Sequence, residues 1–326
     1  MISISAQFHL ALRHTLVLTA TALLMIFLWA YLHLPEADLP VVVFAFLAAV
    51  RLSTVATMEL RWRVLSGMLI SAVIMQYIVS VTGNLPFLNV LLPSLASWIL
   101  LKKLSASSAY PVLLTGFLTY SAVPGVYGAA ERSADLLISG LAAWIVSGIG
   151  AKKIPAPGNT GQPMPSPKAF LKAVTIFCAA FLYKLLNMPQ GIWILLTIIF
   201  IYMSQKPGEQ TNSLVRQRIF SVPAGILLGG LYSGTVVMFD YRLVYLTPFI
   251  GAIGFFMLYY KHDFFYFTLF FMFAFTVCAD WMSGALREFN FMQFLFARSL
   301  ATLIGAGVLL IIEKSATVLS YKVEAS

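Results

Sequence analysis

Long apolar runs separated by short polar breaks dominate this sequence. Hydrophobic residues make up 60% of its 326 positions and charged residues only 10%, whereas a soluble domain carries roughly 25% charged residues. A helix that crosses a membrane needs about 20 mainly apolar residues, and it pairs its own backbone polar groups where no water can do so. The pattern therefore predicts an all-α, polytopic membrane protein with about twelve transmembrane helices.

The predicted spans are divided evenly between the two halves of the chain. They lie near residues 14–33, 38–55, 64–82, 86–101, 109–127 and 135–150 in the first half, and near 169–188, 191–204, 219–238, 243–260, 264–283 and 292–312 in the second. The first run exceeds the apolar region of a secretory signal peptide, so we expect it to be retained.

Basic residues predict the orientation of these spans. With the N-terminus inside, the outer side holds Arg132, Lys184, Arg242 and Arg287, and Arg298 lies within a span. The other sixteen of the 21 basic residues then fall on the inner side. Cytoplasmic loops carry the excess of Lys and Arg in membrane proteins, so we expect both termini in the cytoplasm. The net charge of +9 is thus interpreted as a topology signal and not as a nucleic-acid site.

The two halves resemble each other at a nearly constant offset. A Pro/Gly-rich stretch, residues 151–168, predicts a cytoplasmic linker between a first repeat, 1–150, and a second, 169–326. Matching segments lie 154 or 155 residues apart: Leu32–Pro35 with Leu186–Pro189, Arg61–Ser66 with Arg216–Ser221, and Pro93 with Pro248. Six spans per repeat is an even number, so both repeats should point the same way. We expect a pseudo-two-fold axis along the membrane normal, as in transporters built from parallel repeats.

The second half carries a motif set that resembles a known family. Gly191-Ile-Trp193-Ile-Leu-Leu-Thr197 is followed by Gln205, and then by a basic helix start, Arg216-x-Arg218-Ile-Phe-Ser-Val-Pro-Ala-Gly225. Near the end, Arg298 precedes Gly305 in a further arginine-to-glycine helix. These motifs resemble those of the fusaric acid resistance, or aromatic acid exporter, superfamily. Ser221 and Val222 depart from its usual Gly-Thr, and the first half lacks the tryptophan motif.

The resemblance implies a short, membrane-only member of this superfamily. It further implies a proton-driven exporter of aromatic or related organic acids in the bacterial inner membrane. Its implied partners are a periplasmic membrane-fusion adaptor and an outer-membrane channel. Whether the chain forms a homo-oligomer is left open. Within the motifs, Trp193 and Thr197 become candidate residues of the substrate pathway.

Four arginines begin equivalent helices in the two repeats: Arg61, Arg63, Arg216 and Arg218. Two such pairs near a pseudo-two-fold axis would form a cationic vestibule that concentrates anions, and arginine binds carboxylates in a bidentate geometry. The alternative is that they anchor helix ends to lipid headgroups and set the topology.

Charged residues within spans are the other candidates for chemistry. Arg298 lies about 9 Å inside the last span and should face the helix bundle with a partner, because a buried cation is costly in lipid. Asp280 is its nearest acid in the sequence. The two form either a structural ion pair or a site for a substrate carboxylate and a coupling proton. Lys184 is a weaker candidate, since its long side chain can reach the interface.

Prolines, aromatic rings and glycines complete the predictions. Pro93 and Pro248 predict matched helix kinks that could border a cavity. In the eleventh span, Phe264, Phe267, Phe271 and Phe275 recur at helical spacing and either face lipid or stack on an aromatic substrate. A third group predicts close helix packing: Gly225, Gly229, Gly230 and Gly234.

A secondary transporter of small anionic, aromatic compounds is the leading prediction from the sequence. The alternative is a scaffold or assembly subunit of an efflux system that moves nothing itself. An enzyme acting on lipid is least favoured, because no clustered His/Asp/Glu constellation or Gly-rich phosphate loop is present in the sequence. No cofactor or metal site is predicted, since the four histidines are scattered.

The parallel-repeat scheme makes a topological prediction. Because six spans separate the linker from the C-terminus, accessibility tags within residues 151–168 and at the C-terminus should be labelled from the same, cytoplasmic side of the membrane. Labelling in intact and opened cells measures this. Tags on opposite sides would contradict both the span count and the repeat.

Overall fold

The computed structural model describes the chain in eleven stretches. These are residues 4–32, 39–53, 55, 57–82, 85–104, 106–118, 125–148, 164–205, 211–261, 263–282 and 290–324. The elements in these stretches are helical, and the described residues contain no strand. This agrees with the all-α prediction.

Twelve α-helices are found in the described residues. They are α1 (Ile4–Leu32), α2 (Leu39–Ser53), α3 (Met58–Thr82), α4 (Pro86–Lys103), α5 (Ala106–Leu118), α6 (Gly125–Gly148), α7 (Ser166–Leu186), α8 (Ile192–Ser204), α9 (Thr211–Phe239), α10 (Thr247–Tyr260), α11 (Phe264–Met282) and α12 (Phe291–Glu324). Each predicted span overlaps one of them, in order. A short 3-10 helix, Tyr241–Leu246, leads directly into α10.

Several helix boundaries differ from the predicted spans. The predicted fifth span reaches residue 127, whereas α5 ends at Leu118 and α6 begins at Gly125. Helices α1, α3 and α9 begin earlier than predicted, and α12 ends later. The predicted linker is shorter at its end, because α7 begins at Ser166. Residues 151–163 lie outside the described stretches.

The two matched prolines do not occupy equivalent positions. Pro93 lies inside α4, as the kink prediction requires. Pro248 lies in the first turn of α10, directly after the 3-10 helix, a position that proline favours. Matched kinks at the two prolines stay a prediction.

Several helices have the length and composition of membrane spans. Five described helical segments qualify: Met58–Thr82, Ser166–Leu186, Thr211–Val236, Tyr241–Leu258 and Phe291–Ala316. Two shorter apolar segments are Ile192–Ser204 and Phe264–Cys278. The chain is therefore a multi-pass helical membrane protein, while twelve spans in two repeats stay a prediction.

The helices group into two compact units. Unit 1 comprises Met1–Ile70, Ala130–Gly158 and Phe220–Leu295, and unit 2 comprises Ser71–Ala129, Asn159–Ile219 and Phe296–Ser326. In unit 1, α1 packs against α2 and α10, and α10 packs against α11. In unit 2, α4 packs against α5 and α7. Helix α8 also packs against α5 and α7. These four helices of unit 2 therefore form a closed ring of contacts.

Each unit draws on both halves of the chain. The chain changes unit after Ile70 and Ala129 in the first half, and after Ile219 and Leu295 in the second. The two predicted repeats stay a prediction.

Helix α8 forms the interior of unit 2 because it is apolar on every side. All residues from Trp193 to Tyr202 are buried. A helix that is hydrophobic all round belongs in an interior and not at a polar surface. The short α8 is thus enclosed by its neighbours.

The aromatic face of α11 is packed inside unit 1. Phe264, Phe267, Phe271 and Phe275 are each at most 8% exposed, so the prediction that they face lipid is wrong. Consecutive rings in this row have centroids 5.8–6.3 Å apart. Phe255 of α10 contacts two of them, and Phe294 extends the row. The row is part of the core of unit 1.

The glycines of α9 confirm close packing at some positions only. A Cβ at Gly225 would overlap the carbonyl oxygen of Leu269 and lie 2.8 Å from Cβ of Met272. A Cβ at Gly229 would lie too close to α11 one turn further on, and a Cβ at Gly230 would overlap the ring of Phe291. A Cβ at Gly234 would have no neighbouring atom within 4 Å, so the prediction of close helix packing is wrong at this position.

This difference gives a matched pair of substitutions. Gly225→Ala should lower the melting temperature of the purified protein, because overpacking against a helix backbone typically costs about 1–3 kcal/mol. Gly234→Ala is the control and should be neutral or slightly stabilising, since alanine favours helix by up to about 1 kcal/mol. Equal melting temperatures for the two variants would contradict the packing of α9 on α11.

Candidate functional site

One face of α8 carries the predicted motif residues. Trp193 and Thr197 are four residues apart and Phe200 follows three later, so all three lie on one side of the helix. The rings of Trp193 and Phe200 are nearly parallel, with an interplanar angle of 6° and centroids 6.4 Å apart. Each of the three residues is at most 4% exposed. This face is an aromatic surface inside unit 2.

Two buried arginines lie against this surface. The Arg298 guanidinium, from α12, contacts the ring face of Trp193. Cζ of Arg218, from α9, lies 4.7 Å from the ring centroid of Phe200. Arg298 is 0% and Arg218 1% exposed. The aromatic faces compensate in part for the loss of water around each guanidinium.

Gly305 positions the helix that carries Arg298. It follows Arg298 by seven residues, nearly two helical turns, and therefore lies on the same face of α12. A Cβ there would overlap the carbonyl oxygen of Ile194 and lie 3.2 Å from Cβ of Thr197. Only glycine allows α12 to approach α8 this closely, which brings Arg298 within reach of Trp193.

The hydroxyl of Thr197 lies within the same arrangement. Thr197 is fully buried, and its Oγ1 has no hydrogen-bond partner among the described residues. A buried hydroxyl without a partner is uncommon and needs an explanation. Together with Arg218, Arg298 and the two rings, it defines what we call the α8 cluster: Trp193, Thr197, Phe200, Arg218 and Arg298.

The α8 cluster has the chemistry to bind an aromatic anion. Guanidinium groups bind carboxylates strongly and with a fixed geometry. Flat rings favour stacking with other aromatic groups, and a threonine hydroxyl both donates and accepts hydrogen bonds. These groups are enclosed by apolar helices, where electrostatic interactions are stronger than in water.

The arginine pair at the start of α3 is engaged within unit 1. Arg61 donates from Nη2 to the carbonyl oxygen of Trp144 (2.7 Å) and to Oγ of Ser147 (2.6 Å). Its guanidinium fills the space beside Gly148, where an added Cβ would lie 3.2 Å from Nη1. Arg63 is exposed and pairs with Glu59 at 2.5 Å. These contacts join α3 to the end of α6, so Arg61 binds a neighbouring helix, a role different from the predicted headgroup anchor.

The equivalent pair in the second half is arranged differently. Arg216 is exposed and Arg218 is buried, whereas in the first pair Arg61 is the buried member. The two pairs belong to different units, so a vestibule formed by all four arginines stays a prediction.

Asp280 and Lys184 are placed in separate surroundings. Asp280 is 9% exposed near the end of α11 in unit 1, whereas Arg298 belongs to unit 2, and their pairing stays a prediction. Lys184, at the end of α7, is half-buried with Nζ 5.0 Å from the ring centroid of Tyr183.

Two buried residues, Phe200 and Lys172, are not singled out as candidates by the sequence patterns. Phe200 lies seven residues after Trp193, and this spacing alone could have assigned it to the motif face. Lys172 was counted among the inner-side topology residues, yet it is 7% exposed within α7. A basic residue inside a span was the signal that singled out Arg298, and it applied to Lys172 as well.

The comparison with known families agrees with these motifs. Residues 177–312 match the model of the fusaric acid resistance protein-like family, and this segment contains all five residues of the α8 cluster. No curated protein and no solved structure matches the chain. The family is one of membrane efflux and resistance-type transporters, and not a family of enzymes. The predicted resemblance is confirmed over residues 177–312, the segment that is similar to the fusaric acid resistance protein-like family.

Proposed function

We propose that this protein is a secondary transporter that exports small, anionic, aromatic organic acids across the bacterial inner membrane. The α8 cluster is the substrate site. The observation that carries this proposal is the burial of Arg218 and Arg298 against Phe200 and Trp193. The family match over residues 177–312 supports the class of function, and the cluster supports the class of substrate.

The charge of the site favours an anion. Two guanidinium groups are buried in the same apolar unit, and a bound anion would offset part of the cost of burying their charges. An aromatic acid also offers a flat ring to Trp193 and Phe200. A neutral apolar compound would stack on the rings but form no ionic interaction with the guanidinium groups. The site therefore selects for a ring that carries a carboxylate.

The energy source and the partners complete the proposal. The proton gradient drives export, and a membrane-fusion adaptor and an outer-membrane channel carry the substrate onward from the inner membrane. The alternative is a scaffold subunit of such an efflux system that moves nothing itself. Transport by the purified protein alone distinguishes the two.

Reconstitution provides the primary test. Purified protein in liposomes should accumulate 4-hydroxybenzoate when a proton gradient is imposed, and an uncoupler should abolish this accumulation. Benzyl alcohol, which has the ring but no carboxylate, should not compete. If neither 4-hydroxybenzoate nor other aromatic acids exchange across the membrane, with or without a gradient, the transporter proposal fails in favour of the scaffold.

Arg218 and Arg216 form a matched pair for testing the site. Arg218→Gln should weaken the apparent affinity for 4-hydroxybenzoate by about tenfold to a hundredfold, because a hydrogen bond to a charged group contributes roughly 1.5–3 kcal/mol. Arg216→Gln removes an exposed charge two residues earlier in the same helix and should change affinity little. Similar losses in both variants would point to helix anchoring and not to substrate binding.

Asp280 gives a separate prediction about coupling. An acid that can be neutralised by protonation suits a proton-driven transporter. Asp280→Asn should abolish gradient-driven accumulation while leaving the amount of folded protein unchanged. Normal accumulation in this variant would remove Asp280 from the coupling mechanism.

A further inference from the structure

Lys172 is a buried lysine on the side of α8 that faces away from the α8 cluster. It lies in α7, is 7% exposed, and places Nζ 3.7 Å from the ring centroid of Tyr202 and 5.3 Å from that of Tyr110. Tyr202 follows Phe200 by two residues, about 200° around the helix, so these two rings leave α8 on opposite sides. Lys172 and the α8 cluster therefore occupy separate places in unit 2.

Two tyrosine rings hold the Lys172 ammonium. Tyr110 comes from α5 and Tyr202 from α8, and their ring centroids lie 6.1 Å apart with an interplanar angle of 30°. Aromatic faces attract a cation without neutralising it. The described part of the chain gives Lys172 no ion pair, so its positive charge stays available to an anion.

Gln205, which follows the tryptophan motif in the sequence, contacts the same ammonium. Its Oε1 accepts a long hydrogen bond from Nζ of Lys172, 3.5 Å, and its Nε2 donates to Oγ1 of Thr211 at 3.1 Å. An ammonium has three N–H donors, and this is the one hydrogen bond that Lys172 forms with the described residues. Buried polar groups are normally paired, so the remaining donors point to an acceptor outside the described residues.

The hydroxyl of Tyr110 is a further donor without an acceptor. Tyr110 is 4% exposed, and its Oη has no hydrogen-bond partner among the described residues. The hydroxyl of Tyr202 is different, because it donates to Oγ1 of Thr175 at 3.3 Å. The ammonium faces the ring that carries the Tyr110 hydroxyl. One carboxylate, which accepts at two oxygens, can therefore bind both groups.

We propose that Lys172 and Tyr110 form a second binding site for a carboxylate, on the side of α8 opposite the α8 cluster. One ammonium and one neutral hydroxyl match a ligand with a single negative charge. The two tyrosine rings offer apolar faces to an aromatic group. The ligand class is thus that of the proposed substrate, small aromatic acids, and the inference rests on the proposed function in this respect.

The two sites differ in their cations and can be weakened separately. The α8 cluster uses the guanidinium groups of Arg218 and Arg298, whereas the second site uses the ammonium of Lys172. Each chain should therefore bind two molecules of an aromatic acid, one on each side of α8.

The test counts bound ligand by equilibrium dialysis of the purified protein against labelled 4-hydroxybenzoate. The wild-type protein should bind two molecules per chain at saturation. Tyr110→Phe should weaken one of the two sites by roughly tenfold to a hundredfold, because it removes a hydrogen bond to a charged group. Lys172→Met should weaken the same site at least as much, and Arg218→Gln should weaken the other.

Matched controls separate binding from folding. Lys168 is exposed one turn before Lys172 in α7, and Tyr241 is exposed in unit 1. Lys168→Met and Tyr241→Phe should therefore bind as the wild type does. Tyr110→Phe removes a hydroxyl that forms no hydrogen bond with the described residues, so its melting temperature without ligand should not fall. A loss of binding in this variant then reports on the ligand contact.

Each outcome decides the inference. Binding of one molecule per chain by the wild type would overturn it and leave the proposed function intact. Two unweakened sites in Tyr110→Phe or in folded Lys172→Met would overturn it as well, as would equal weakening of both sites by Tyr110→Phe.

A ligand-free melting temperature of Tyr110→Phe well below that of the wild type would also overturn the inference, because the hydroxyl would then be paired inside the protein. If Lys172→Met does not fold, Tyr110→Phe decides alone. Binding of no 4-hydroxybenzoate by the wild type would refute the proposed class of substrate, and the inference with it.

Discussion

Burying a positive charge among apolar helices is costly unless the protein replaces the water that the charge loses. In this chain, the four buried lysine and arginine side chains of the described residues each lie against an aromatic ring. Arg61 contacts Trp144, Lys172 contacts two tyrosines, and Arg218 and Arg298 contact Phe200 and Trp193. Because aromatic faces attract cations without supplying a negative charge, these sites can hold a cation and still be attractive to an anion.

Helix α8 brings two such sites in unit 2 together. Its full burial follows from its uniformly apolar sequence, and the few polar and aromatic groups on it become the interior surface that its neighbours touch. Arg298 reaches Trp193 only because Gly305 lets α12 approach α8. Lys172 reaches Tyr202 because α7 packs along the other side of the same helix. A short interior helix thus carries aromatic contacts to buried cations from two neighbouring helices.

The two arginine pairs that match in the sequence are buried differently. Arg61 is bound to the backbone and hydroxyl of α6, and it joins two helices in unit 1. In the second half the buried member of the pair is instead Arg218, two residues later at the predicted offset, and it faces a ring. At the same offset Arg298 corresponds to Ala143, so the first half of the sequence has no counterpart of that arginine.

Membrane insertion, helix order and the family motifs could be predicted from the sequence, because they depend on local apolarity and on residue spacing along one helix. The motif face formed by Trp193 and Thr197 is such a property. Which charges become buried could not be predicted in the same way. Arg216 and Arg218 look equivalent in sequence, and Lys172 looks like a topology signal, since their surroundings come from helices distant in the chain. The tertiary structure decided these roles, because burial and aromatic contact depend on which helix faces which neighbour, and the local sequence does not specify that choice.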